Sequence, residues 1–85
     1  MPFQIGATEH DHGVVAERLD VGSYCYFRVV QPQGSSLWVA TLRSPIAVGA
    51  DVDVTIFARR ETFDSPRLSR RFTHLAFGRV APAKN

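Results

Sequence analysis

Two groups of side chains in this 85-residue chain have the types and spacing to do chemistry. The first is aromatic. Tyr24, Tyr26 and Trp38 occupy alternate positions in two apolar runs, "SYCYFRVV" and "LWVA", on either side of the polar loop "QPQGSS". If the runs pair as a hairpin, the three rings share one face. Flat rings with polar handles can stack on a base or dock a partner. Arg28, Arg43, Arg59 and Arg60 would give that face a cationic rim. The second group is His10, Asp11 and His12, two imidazoles flanking a carboxylate. A metal site needs three or four converging ligands, and His74 cannot be brought near from sequence, so no metal is assigned. Nothing resembles a nucleophile with its base, a phosphate-cradling glycine loop or a facing carboxylate pair. The reading is therefore of a protein that is not an enzyme and needs no cofactor.

The elements that must position these residues are strands. Period-2 patterning dominates, and helical periodicity is almost absent. "HGVVAERLDV", "SYCYFRVVQ", "LWVATLR", "DVDVTIF" and "RFTHLAFGRV" read as five strands, separated by glycine and proline turn signals. "SPIAVGA" has room for one turn of helix at most. "ARRETFDSPRLSRR" reads as the longest irregular piece, because Pro66 bars regular pairing; a short helical turn could start at that proline. Alternation puts Cys25, Phe27 and Val29 with Leu37, Val39 and Thr41 on the inner face, and Val52, Val54 and Ile56 on the inner face of the fourth strand. Cys25 is then a packing residue rather than a nucleophile. Tyr24, Tyr26, Arg28, Trp38 and Ala40 face out. The fold class expected is all-β, a small five-stranded OB-like barrel over residues 12–80. Residues 1–11 form an N-terminal leader segment and 81–85 a C-terminal tail. Phe3 and Ile5, or Phe63 and Leu68, could cover the rings.

Size and charge narrow the class further. One domain is expected at this length, and apolar residues at 45% with charged residues at 21% are a globular composition. The single cysteine excludes an internal disulfide. No signal peptide or membrane span is legible, so the expected location is cytoplasmic, with no membrane partner. Residues 1–56 carry three arginines against six carboxylates, a net of −3, whereas residues 57–85 carry seven basic side chains against two acidic ones, a net of +5. A basic C-terminal third can attract a polyanion or an acidic protein face.

The order of motifs resembles the small OB-like proteins of bacterial nitrite-reductase (Nrf-type) gene clusters. The matching residues are Gly13, Val15 and Glu17; Asp20, Gly22, Tyr24 and Tyr26; Trp38, Val39 and Ala40; and Phe63, Ser65, Leu68, Arg70 and Phe72. The resemblance spans roughly residues 12–77 and implies a five-stranded barrel with an accessory or binding role. Two departures stand out: relatives commonly carry an export signal, and they often carry soft-metal methionines where this chain has "ARRET". The expected function is a non-enzymatic binding module that uses its aromatic outer face for a protein partner. The alternative is single-stranded nucleic acid on the same face, with the arginines along the phosphates.

Overall fold

The computed structural model describes the backbone of residues 9–66 and 68–83, and the side chains of all of these but Glu61, Phe63, Arg70 and Thr73. The described residues form five strands: β1 (Glu9–Val21), β2 (Tyr24–Val30), β3 (Ser36–Leu42), β4 (Asp51–Ser65) and β5 (Arg70–Pro82). They close in the order β1-β2-β3-β5-β4, with β3 and β5 parallel and every other pair antiparallel. This is an OB-like barrel, and closure leaves no open sheet edge around the core.

The inner face is the one alternation predicts. Cys25, Phe27, Val29, Leu37, Val39, Val52, Val54 and Ile56 are buried in one cluster, and Thr41 is buried beside them. Ile46, from the segment between β3 and β4, joins the same cluster. Its carbonyl accepts a hydrogen bond from Arg18 Nη1 at 2.7 Å. The segment plugs the barrel with one side chain rather than a helix. Two glycines let strands cross closely. A Cβ on Gly13 would run into the Val30 carbonyl oxygen, and one on Gly78 into that of Thr55.

Three expectations are corrected. First, β1 begins at Glu9 and residues 9–14 pair with β4, so residues 9–11 are barrel strand rather than leader; residues 1–8 lie outside the described residues. At the other end, β5 runs through Ala81 and Pro82. Second, most of the piece read as irregular is strand. β4 and β5 stay paired from Ala58↔Phe77 to Ser65↔Arg70, and past Arg60↔Leu75, the last pair whose β5 residue also pairs with β3, they form a two-stranded arm beyond the barrel. Pro66 does not break this pairing, because it begins the turn, with the Ser69 amide donating to its carbonyl at 3.2 Å. Third, alternation fails at two points. Ala16 is an extra residue in the β1–β2 register, which turns Arg18 and Asp20 toward the side of Phe27 and Cys25. His74, at φ 61, breaks the parity of β5, so Phe72 and Leu75 share a side although three positions apart.

Candidate functional site

Outside the barrel, the register lines up side chains from adjacent strands in cross-strand rows. Glu17, Arg28, Trp38, Leu75 and Arg60 are successive partners across β1, β2, β3, β5 and β4. The neighbouring row is Leu19, Tyr26, Ala40, Phe77 and Ala58, and the next is Val21, Tyr24 and Leu42. The sheet thus presents an apolar and aromatic strip whose Trp38 row carries an arginine on either side of the indole. Neighbouring strands lie about 4.8 Å apart, so Arg60 starts roughly 10 Å from the Trp38 backbone.

The rings do lie outside the barrel, but the central one is covered. Tyr26, Ala40, Phe72 and Leu75 form a second buried cluster, with Leu19, Val21, Trp38, Leu68 and Phe77 packed around it. Phe72, from the arm, stacks on Tyr26 with centroids 5.1 Å apart and meets Trp38 edge-on at 5.1 Å. Tyr26, at 7% exposure, is therefore an anchor for the arm rather than an open platform. Trp38 is partly exposed, and Tyr24 is 51% exposed. Of the covers suggested by sequence, Leu68 is part of this cluster; Phe3, Ile5 and the Phe63 side chain lie outside what is described. Phe72 and Leu42 are the members that composition does not pick out, and Leu42 is 67% exposed beside Tyr24.

The four expected rim arginines divide. Arg28 Nε donates to Glu17 Oε2 at 2.7 Å within the Trp38 row. Arg60 is exposed at the far end of that row. Arg43 follows Leu42 and stands 3.9 Å from Asp20. Arg59 belongs elsewhere: one position from Arg60 on the same strand, it turns to the opposite side and grips Glu9 at 2.6 and 3.2 Å. That grip holds the Glu9 carboxyl below its usual range. Arg59 is thereby corrected from rim to barrel-end ion pair.

At the barrel mouth, the Cys25 thiol is 3.1 Å from Asp20 Oδ1 and 3.9 Å from the Ser44 carbonyl. One S–H has one proton, and the shorter contact to a carboxylate takes it. With Arg18 Nε also donating to Asp20 at 2.9 Å, the thiol and the guanidinium hold that carboxyl below its usual range. Cys25 is fully buried. His10 and His12 face outward on β1, and His12 Nδ1 lies 3.0 Å from Asp53 Oδ1. Among the described residues, no three His, Cys, Asp or Glu side chains converge as metal ligands.

No protein-family model matches this chain, and no curated protein sequence matches it. Among solved structures it is similar to Rim1, a mitochondrial single-stranded DNA binding protein from S. cerevisiae, with a TM-score of 0.56 and 17% identity. The match covers 93% of this chain and 96% of that one. At this identity the likeness is one of fold, extending over most of both chains.

Proposed function

We propose that the protein binds single-stranded nucleic acid across the outer face of β2 and β3, beneath the β4–β5 arm. One observation carries this reading: the arm lies directly on the ring face, because Phe72 packs against both Tyr26 and Trp38. Between positions 57 and 74 the chain has five arginines (59, 60, 67, 70 and 71) against two carboxylates, a net of +3. Of these, Arg59 is paired with Glu9 and Arg71 with Asp64, while Arg60 stands exposed in the Trp38 row and brings cationic charge beside the partly exposed indole. Bases stack on such rings at roughly 1–3 kcal/mol each, while guanidinium groups follow the phosphates. The shared fold with a single-stranded DNA binding protein is consistent with this use of the barrel.

Trp38 is the only tryptophan, so its fluorescence reports on the face directly. Oligonucleotides are expected to quench it, with an affinity that falls linearly in log–log form as salt rises. Absence of quenching, together with unchanged anisotropy of a labelled oligonucleotide at low salt, would remove the reading.

A second reading, an accessory module that docks a protein, is favoured by the row Val21, Tyr24 and Leu42. Tyr24 and Leu42 form an exposed apolar pair beside Arg43, and aromatic and arginine side chains are enriched at interface anchors. Retention of a protein partner from native lysate by the parent chain, and its loss from Leu42→Asp, is the result expected of that role.

A further inference from the structure

The outer face does not stop at Trp38. One step further along the strands, Ser36, Val30 and Val14 are cross-strand partners, and His12 and His10 follow Val14 on the same side of β1. There the β2–β3 loop, β1 and β4 border an open cleft of about 460 Å3. Gln31, Gln33, His10, His12 and Asp53 contribute its polar groups and Pro32 an apolar wall, whereas the side chains of Val54, buried in the barrel, and Asp11, beside Arg59, alternate to the other side of their strands. This size falls in the range of small-ligand pockets, roughly 300–1,000 Å3.

We infer that this cleft receives an unpaired nucleobase bearing an exocyclic amino group, cytosine or adenine, from the strand that stacks on Trp38. The inference rests on the nucleic-acid reading and specifies its base preference. Three features point to a base rather than to a phosphate. Among the described residues no arginine or lysine lines the cleft, and the Asp53 carboxylate repels phosphate. The polar groups include both donors and acceptors, as the edge of a heterocycle requires. Several are already held in orientation: His12 by Asp53 Oδ1 at 3.0 Å, and Gln31 Oε1 by the Ser35 hydroxyl at 3.0 Å.

The chemistry follows from what those contacts leave over. A carboxylate only accepts, so His12 Nδ1 carries the proton in that pair. Asp53 Oδ2 remains to accept from an exocyclic amino group, and the Gln33 carboxamide can donate to the adjacent ring nitrogen. Cytosine and adenine present that donor–acceptor pair; thymine and uracil present a carbonyl where the amino group would be, and face the carboxylate with like polarity.

The test uses the full chain, with oligo-dC, oligo-dA and oligo-dT of equal length and, separately, the nucleosides cytidine and thymidine. The expected result is a roughly tenfold preference for dC or dA over dT, within the discrimination one bidentate base contact supplies. It should be accompanied by shifts of the His10 and His12 imidazole NMR signals. Asp53→Asn and Gln33→Ala should erase the preference while Trp38 quenching persists. Trp38 quenching with neither preference nor imidazole shifts overturns the cleft and leaves the stacking face standing. If no oligonucleotide quenches Trp38, the nucleosides decide: imidazole shifts with cytidine and not thymidine support the cleft, and silence overturns it.

Discussion

Phe72 lies on Tyr26 with ring centroids 5.1 Å apart and planes only 22° from parallel. This one contact ties the β4–β5 arm to the barrel. It joins a residue near the tip of the longest hairpin to the middle of the sheet, and it converts what would be an open ring into a second small core. The stacking adds about 1 kcal/mol to the hydrophobic gain from burying both rings.

Phe72→Ala should therefore cost about 3 kcal/mol of folding stability, the range found for removing a buried phenylalanine. It should also uncover the indole. Urea unfolding measures the first effect, and acrylamide quenching of Trp38 the second. Unchanged quenching in a folded variant would mean that the arm is held down by something other than this ring.

Gly78 and Gly13 test the close crossings of the barrel. Ala at 78 has no room because its Cβ meets the Thr55 carbonyl, and neither backbone can move without disturbing the β4–β5 ladder. Overpacking of this kind costs about 3 kcal/mol, and Gly13→Ala should cost about 2 kcal/mol. Gly34 provides the contrast: at φ 100 with open space around it, Gly34→Ala pays only backbone strain, about 1 kcal/mol. Thermal midpoints of the three variants should rank in that order, with Gly34→Ala the least affected.

Strand identity and the inner face of β2, β3 and β4 were legible because each of those runs alternates over a buried, closed sheet. The arm was not. Its β4 strand runs on through Arg59, Arg60, Thr62 and Asp64, polar positions with no period-2 apolar alternation of their own, and Pro66 reads as a breaker although it only starts the turn. Ala16 and His74 each shift the parity, which no local pattern announces. At the site, the residue types were visible and the rows were not. That Arg60 shares the Trp38 row while Arg59 faces Glu9 depends on the β4–β5 register, including the irregularity between Ile56 and Ala58. That Tyr26 is covered depends on where the arm folds, a long-range contact that spacing along the chain does not encode.

Asp20 and Glu9 set the acid side of stability. Both carboxyls are held below their usual range in the folded chain, Asp20 by the Cys25 thiol and Arg18, Glu9 by Arg59. A depressed folded value contributes stability above the unfolded value and loses it as pH falls through the folded one. Urea midpoints should thus decline from about pH 4 downward, where free carboxyls ordinarily titrate. Asp20→Asn should lower the midpoint at neutral pH and flatten the acid decline. An unaltered acid decline in that variant would show that the thiol and guanidinium contacts contribute nothing. Both carboxylates are solvent-exposed, so the effects are modest.

Arg59 and Arg60 are adjacent in sequence and point to opposite sides of β4, which makes them a matched pair for the nucleic-acid reading. Arg60 stands in the Trp38 row across Leu75, whereas Arg59 is committed to Glu9 and lies 3.9 Å from Asp11. A guanidinium that neutralises one phosphate of a single strand contributes about 0.7 to the slope of log affinity against log salt. Arg60→Ala should weaken oligonucleotide binding and reduce that slope by about this amount. Arg59→Ala removes the same formal charge from the chain but none from the ring face, so its slope should stay that of the parent. A salt titration of Trp38 quenching on the two variants separates local phosphate contact from net charge. If both lose the same slope, the attraction comes from the overall charge of the domain rather than from the ordered row beside the indole.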